Sequence, residues 1–162
     1  MAKYIVIALL IVNICGVSEE TRGQTVKLLS VDQLELRLDR GKDTTYVVNF
    51  WATWCGPCLK EMPHFEKLQA EFADQKLKVL FVSIDNLSKL KSAVVPLAKR
   101  LKLKNEVFLL NEKDPQVYLE RIDKKWSGAL PASIFVNKVR GKREFYEKEF
   151  TYAELVKTYQ SI

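Results

Sequence analysis

The order of two buried strands around an amphipathic helix constrains the fold of this 162-residue chain more than any other feature. Residues 46–51 form a dense run of β-branched and aromatic residues, and residues 78–84 form a second apolar run. Between them, from Cys58 to Phe72, apolar residues recur every three or four positions, which predicts a helix. Strand, helix and strand in this order form a right-handed βαβ unit with parallel strands. The sequence therefore predicts an α/β fold.

The rest of the chain continues this alternation without a linker, repeat or low-complexity stretch. The patterns predict a short helix that Ser30 caps and that ends near Leu38, a helix over 88–101, a strand over 106–110, a helix opened by Asp114 and Pro115, a hairpin of residues 132–137 and 142–150, and a last helix capped by Thr151 and Glu154. We therefore expect residues 24–162 to form one domain, with a central mixed sheet flanked by helices and a hairpin and helix at its end.

The N-terminus has the pattern of a secretory signal peptide. Lys3 precedes an apolar run over residues 4–12, and small and polar residues follow through Gly23. The run is short of the roughly 20 residues that a membrane-spanning helix needs. We therefore expect residues 1–23 to be a signal peptide, cleaved after Ser18 or after Gly23, and the protein to be exported to the periplasm or cell envelope.

Cys15 lies at the end of this apolar run, where a bacterial lipoprotein would carry its lipidated cysteine. Ile14 replaces the small residue that such sites require, so a lipid anchor at Cys15 is disfavoured. Removal of the signal peptide leaves Cys55 and Cys58, which are too close in sequence to staple a fold. A chemical role explains this pair of cysteines better than a structural disulfide does.

The net charge of +6 comes from Lys and Arg residues spread along the chain, with clusters at residues 99–104 and 138–143. Both clusters are interpreted as solvated surface. Binding of nucleic acid would require an extended basic face with interleaved aromatic residues, which the sequence lacks. We therefore expect no nucleic-acid partner.

The motif Trp54-Cys55-Gly56-Pro57-Cys58 lies where the first predicted strand meets the helix. At a helix N-terminus, unpaired N–H groups and the helix dipole stabilise a thiolate, so the pKa of Cys55 is expected to be lowered. Cys55 is then the attacking thiol and must be accessible to a partner. Cys58, three residues on, lies near enough to close a disulfide and faces the body of the helix, so it is expected to be the resolving and more buried thiol.

Other uses of this cysteine pair fit less well. A structural zinc site needs four ligands, and besides the pair the sequence offers His64 and no second cysteine pair. A cysteine hydrolase needs no second cysteine three residues on. His64 is interpreted as a surface or half-buried helical residue, and no metal is expected.

Residues 48–63 resemble the active-site segment of thioredoxin-like proteins of the TlpA/ResA type. The resemblance includes the strand over 78–84 and Gly128-Ala129-Leu130-Pro131, and it covers the chain from about Thr44 onward. It implies a thioredoxin fold and the activity of an exported or membrane-tethered thiol/disulfide oxidoreductase. Many such proteins are reductases that serve cytochrome c maturation or other envelope proteins.

Carried over by position, the resemblance implies that Cys55 attacks, that Cys58 resolves, and that Pro131 follows a cis peptide bond beside the motif. The cis turn would expose the backbone of Leu130 to pair with a partner's extended segment. Gly56 would allow close approach of that partner, and Pro57 would fix the first turn of the helix.

Asn49 departs from the pattern of cytosolic thioredoxins, which carry a buried aspartate at this strand position. An amide cannot titrate, so another group must move the proton of the resolving thiol. Asp85 and Glu61 are candidates, although solvation at the surface is the role that their residue types favour. Trp51 and Trp54 form an apolar rim around the sulfur or simply pack in the core.

The sequence thus predicts a thiol/disulfide oxidoreductase of the bacterial cell envelope that reduces disulfides in exported proteins. The resemblance implies a membrane thiol reductase as electron donor, and no organic cofactor; we expect a monomer. Two alternatives stay open. One is a thioredoxin-fold binding module with idle cysteines, and the other is a disulfide oxidase or isomerase, which differs in reduction potential.

Overall fold

The computed structural model describes residues 25–162, so the predicted signal peptide and Cys15 lie outside the described residues. The strands are β1 (Val26–Leu29), β2 (Thr45–Trp51), β3 (Leu77–Ser83), β4 (Glu106–Leu110), β5 (Ala132–Asn137) and β6 (Lys142–Tyr146). The helices are α1 (Val31–Asp39), α2 (Gly56–Glu71), α3 (Val95–Arg100), α4 (Pro115–Ile122) and α5 (Tyr152–Ser161). A 3-10 turn (Leu87–Lys89) and a π-helical segment (Leu90–Val94) precede α3. Among the described residues, no helix is both long enough and apolar enough to cross a membrane.

The strands join in one mixed sheet with the order β1-β4-β3-β2-β5-β6. Strands β1 to β4 run parallel, whereas β5 is antiparallel to β2 and β6 is antiparallel to β5. The predicted βαβ unit is confirmed, with β2 paired to β3 along its whole length. The mixed sheet, the final hairpin and the C-terminal helix are also confirmed.

Helices cover both faces of the sheet, so the central strands bury apolar side chains on both sides. On one face, side chains of α2, α3 and α5 pack against alternate strand residues such as Val47 and Phe81. On the other face, side chains of α1 and α4 pack against the intervening residues, such as Val48 and Leu80. Burial of both faces explains why the sequence of β2 is a nearly continuous apolar run and does not alternate between apolar and polar residues.

Strand β1 was not predicted from the sequence. It is four residues long, and its residues alternate only weakly in burial. Its stability comes from pairing with β4, where Val26 lies opposite Val107. A partner so distant in sequence leaves no local pattern, because the pairing and not the propensity of the segment fixes the strand.

The single helix predicted over 88–101 is wrong in its first half. The chain there forms the 3-10 turn and the π-helical segment, and only α3 is α-helical. In the π-helical segment the N–H of Val95 donates to the carbonyl of Leu90, five residues back. Pro96 has no N–H, so inside a regular α-helix it would leave a carbonyl without its hydrogen bond. The wider turn before it places Pro96 in the first turn of α3, where proline is tolerated.

The last predicted strand, over 142–150, is too long. Strand β6 ends at Tyr146, and the next residue, Glu147, turns away from the sheet. Its carboxylate accepts from the N–H groups of Ser127 and Ala129, both at 3.1 Å. Phe150 then enters the core. This segment therefore supports the loop that leads to Pro131, instead of extending the hairpin.

Candidate active site

The cysteine motif lies at the junction of β2 and α2, as the sequence predicts. A turn joins them, closed by the N–H of Cys55 donating to the carbonyl of Ala52 at 3.0 Å. Cys55 is the N-cap of α2, and its Sγ accepts from the N–H of Cys58 at 3.3 Å. An N–H group at a helix N-terminus that already points at this sulfur would also stabilise it as a thiolate.

Cys55 and Cys58 form a disulfide, with their Cα atoms 5.3 Å apart. Cys58 is fully buried and Cys55 is 5% exposed, which confirms that Cys58 is the more buried of the two. The exposure of Cys55 is smaller than expected for an attacking thiol. A partner must therefore fit closely against the surface around it to reach its sulfur.

The surface around Cys55 is formed by exposed neighbours from the same motif. Trp54 is 71% exposed, and Gly56 and Pro57 are also exposed. A Cβ atom added at Gly56 would meet nothing within 4 Å, so glycine is not required there by the packing of the chain itself. Trp51, by contrast, is fully buried in the core beneath the motif. Of these two tryptophans, Trp54 is therefore the one that can form an apolar rim for a partner.

The peptide bond between Leu130 and Pro131 is cis, as the resemblance implies. Pro131 directly precedes β5, in which Ala132 lies opposite Phe50. Since β5 is antiparallel to β2, Pro131 lies level with the end of β2 that leads to Cys55. Pro131 is buried and Leu130 is half-buried. Their contact with a partner remains a prediction.

Asp85 is buried, so the expectation that it is solvated at the surface is wrong. Its carboxylate accepts from the N–H of Thr53 at 2.9 Å and from the hydroxyl of Thr53 at 2.7 Å. It also accepts from the hydroxyl of Ser83 at 2.7 Å. Thr53 lies in the turn between β2 and Cys55, so Asp85 ties that turn to the end of β3.

Glu61 is fully buried, so its predicted solvation is also wrong. One carboxylate oxygen accepts from Nδ2 of Asn49 at 2.7 Å, and the other accepts from the N–H of Phe150 at 2.7 Å. Asn49 also donates to Oγ of Ser133, the residue opposite it in β5, at 3.2 Å. A carboxyl group on α2 therefore lies against Asn49, the residue that cannot itself titrate.

Burial raises the pKa of the Glu61 carboxyl to about 7, and the negative charge of Glu149 adds to the rise. The hydrogen bonds from Phe150 and Asn49 oppose it, because they stabilise the carboxylate. Glu61 lies one turn beyond Cys58 on the same buried side of α2. Both side chains thus lie on the inner face of α2.

The sequence contains a signal for this burial that residue type obscured. Glu61 lies three residues after Cys58 and four before Phe65, and both are on the inner face of α2. His64 is half-buried, as expected, and Trp126 packs among Phe50, Tyr118 and Phe145. Within residues 25–162, no group of three or more His, Cys, Asp or Glu side chains is arranged to hold a metal ion.

Residues 20–140 match the model of the AhpC/TSA family. The chain belongs to this family. Over 65 residues it is 46% identical to thioredoxin-like protein YneN of Bacillus subtilis, covering 40% of this chain and 36% of the relative. Over 71 residues it is 42% identical to thiol-disulfide oxidoreductase ResA of Halalkalibacterium halodurans, covering 44% of this chain and 39% of the relative.

These matches span well under half the length of the curated relatives. A solved structure, the thioredoxin-related protein from Neisseria meningitidis serogroup B, is similar with a TM-score of 0.63 and 21% identity. It covers 74% of this chain and 85% of that protein. The thioredoxin fold and the similarity to ResA-type proteins, both drawn from the sequence, are thereby confirmed.

Proposed function

We propose that this family member is a thiol/disulfide oxidoreductase that reduces disulfides in other proteins through Cys55 and Cys58. The observation that carries the proposal is the disulfide at the N-terminus of α2, where the N–H of Cys58 donates to Sγ of Cys55. A thiolate formed at Cys55 keeps that donor and gains the helix dipole. The names of the curated relatives support the same activity.

The proposed reaction transfers two electrons in two exchanges. The Cys55 thiolate attacks one sulfur of a partner's disulfide, which forms a mixed disulfide and releases the partner's other sulfur as a thiolate. Cys58 then loses its proton and attacks Sγ of Cys55. The Cys55–Cys58 disulfide forms, and the partner leaves with both of its sulfurs reduced.

Glu61 is proposed to take the proton of Cys58 in the second exchange. Cys58 is fully buried, so its sulfur is not exposed to bulk solvent. Glu61 is the carboxylate one helical turn away, and its raised pKa near 7 suits a group that must both accept and release a proton. It supplies the titratable group that Asn49 does not.

Partner proteins are proposed to bind over Trp54, Gly56 and Pro57, with the backbone of Leu130 beside Pro131 pairing with an extended segment. The exposed indole of Trp54 and the open space at Gly56 favour this surface. The small exposure of Cys55 would then select partners that present a disulfide on a protruding or unfolded segment.

Reduction of insulin disulfides by the full chain, with dithiothreitol as electron donor, tests the activity. We expect the wild type to accelerate reduction, and Cys55→Ser to reduce the rate to background. Cys15→Ser is the matched control and should retain the wild-type rate, since Cys15 lies outside the motif. Equal rates for the wild type and Cys55→Ser would contradict the proposal and favour a binding module with idle cysteines.

The direction of electron flow and the location are further parts of the proposal. The Gly-Pro pair between the cysteines, typical of reductive thioredoxins, favours a reductase over an oxidase or isomerase. The apolar run at residues 4–12 favours export to the bacterial cell envelope, where a membrane thiol reductase would supply electrons. Mass spectrometry of the mature N-terminus tests export: a chain that begins at Glu19 or Gln24 supports it, and one that begins at Met1 contradicts it.

A further inference from the structure

The side chain of Asn49 lies fully buried beside Glu61, and its two ends are used unequally. Nδ2 donates to both Glu61 and Ser133. Within residues 25–162, Oδ1 is buried and has no hydrogen-bond partner. Buried acceptors without a partner are uncommon in folded proteins. The question is therefore what hydrogen bond Oδ1 of Asn49 could accept.

The chemistry of Glu61 supplies one. As a carboxylate, Glu61 only accepts hydrogen bonds; as an acid, it also carries an O–H donor. Half a turn about the terminal bond of Asn49 exchanges Nδ2 with Oδ1 and leaves the shape of the side chain almost unchanged, at the cost of moving Nδ2 to the position where Oδ1 has no partner. The donor end then matches the carboxylate and the acceptor end matches the acid. The hydroxyl of Ser133 can accept or donate, so it pairs with either end.

We propose that Asn49 is a positioning residue that lets Glu61 hold and release a proton in the core, donating through Nδ2 to the carboxylate and accepting through Oδ1 from the acid. The inference rests on the function proposed above, in which Glu61 takes the proton of Cys58. An ionised aspartate at position 49 could accept from the acid but not donate to the carboxylate, and an apolar residue could do neither. The amide of asparagine can pair with both the carboxylate and the acid form of Glu61.

The groups around Glu61 come from several elements. Asn49 approaches from β2, Ser133 lies next to Asn49 on β5, and the N–H of Phe150 approaches from the segment before α5. The same segment carries Glu149, whose charge disfavours the carboxylate and which pairs with Lys60 of α2 at 2.7 Å. Cys58 lies one turn away on α2 but is held in the disulfide. Asn49 is the neighbour of Glu61 whose amide can reverse between donor and acceptor.

Titration of the Glu61 carboxyl by carbon-13 NMR tests the proposal in the oxidised full chain, where no turnover is needed. Glu61→Gln identifies the signal. Asn49→Leu removes both ends of the amide, and Asn49→Asp keeps the shape and the acceptor but removes the donor. The control is Asn137→Leu, because Asn137 is a fully buried asparagine at the other end of β5 that donates to Thr45 at 2.9 Å.

We expect the titration midpoint of Glu61 to rise by about one pH unit in Asn49→Leu, because the hydrogen bond lost to the charged carboxylate is stronger than the one lost to the neutral acid. The midpoint should rise further in Asn49→Asp, because two neighbouring acids then share one proton. Asn137→Leu should leave it unchanged. Should Asn49→Leu fail to fold, the smaller Asn49→Ala makes the same test, because a rise in Asn49→Asp comes from the second carboxyl whatever the amide does.

An unchanged midpoint in the Asn49 variants would overturn the inference, as would an equal rise in Asn137→Leu. Both outcomes are distinct from failure of the proposed function. That failure would appear as equal insulin reduction by the wild type and Cys55→Ser, whatever the titration of Glu61 shows. In the reduced wild type, the pH dependence of insulin reduction should follow the Glu61 midpoint, and it should shift with it in the Asn49 variants.

Discussion

Two buried carboxylates flank the cysteine motif, and the regions around them are built differently. Asp85 lies at the end of β3, where its oxygens accept from the N–H and hydroxyl of Thr53 and from the hydroxyl of Ser83. Glu61 lies inside α2, among apolar side chains, with Asn49 and the N–H of Phe150 as its hydrogen-bond donors. Asp85 fixes the turn before Cys55, whereas Glu61 faces the core beneath Cys58.

The difference separates two roles, since Asp85 holds the backbone of the turn and Glu61 lies where it can take up a proton. Hydrogen bonds to Asp85 from the turn after β2 and from the end of β3 make it a clamp for the backbone that presents Cys55. Burial dominates at Glu61 and raises its pKa to about 7, which suits proton transfer. Stability should therefore depend most on Asp85, and the pH dependence of function on Glu61.

The largest expected effect is on stability. Asp85→Ala leaves the donors of half-buried Thr53 and of fully buried Ser83 without an acceptor, and we expect a loss of about 4 kcal/mol in the free energy of unfolding. Asp43→Ala, which removes an exposed ion pair with Lys76, should cost well under about 1 kcal/mol. Chemical denaturation measures both. A loss in Asp85→Ala no larger than in Asp43→Ala would mean that Asp85 is not a clamp.

The second effect is the pH dependence of stability. Between pH 4.5 and about 7 the unfolded chain releases the Glu61 proton while the folded protein retains it, so rising pH favours unfolding. Relative to Glu61→Gln, the wild type should lose about 3 kcal/mol of stability over this range. Below pH 4.5 the difference between the two proteins should be constant. Parallel stability curves for the two proteins from pH 4 to 8 would remove Glu61 as the titrating group.

The third effect is on turnover. Glu61→Gln keeps the size of the side chain but cannot accept the proton of Cys58, and we expect insulin reduction at neutral pH to slow by about a hundredfold. Asp85→Asn is the comparison, because it changes a carboxylate that is not proposed to move a proton. Single-turnover kinetics of release from a mixed disulfide locates the defect. If Asp85→Asn slows that step as much as Glu61→Gln does, the assignment of roles to the two carboxylates is wrong.

The smallest effect concerns the clamp alone. Thr53→Val removes the hydroxyl that donates to Asp85 and retains the backbone donor and the side-chain shape. We expect a loss of about 1 kcal/mol in the free energy of unfolding, with little change in the Glu61 titration. A shift of the Glu61 titration midpoint as large as the one expected in Asn49→Leu would indicate that the two regions are coupled.

Sequence patterns predicted the elements whose burial follows a local period. Strands β2 and β3 are apolar on both faces, and α2 repeats apolar residues at helical spacing, so the βαβ unit and the place of the cysteine motif could be predicted. The cis bond at Pro131 followed from the resemblance and not from any local signal.

The rest depended on contacts distant in sequence. Strand β1 is fixed by pairing with β4, and Glu61 is buried because Asn49 and Phe150 meet it from other elements. Charged side chains are exposed in most proteins, so residue type alone predicts the surface for Glu61 and Asp85. Pro96 carried the signal for the altered helix before α3, and the apolar run around it concealed that signal.

The most direct test of the account is an equilibrium titration of the Cys55–Cys58 couple against reduced and oxidised glutathione. We predict one reversible two-electron transition, with a midpoint at or below about −230 mV, in the range of thioredoxins and not of periplasmic oxidants near −120 mV. Cys15→Ser should give the same midpoint. A couple that exchanges with neither glutathione nor dithiothreitol, or a midpoint near that of the oxidants, would contradict the proposal of a disulfide reductase.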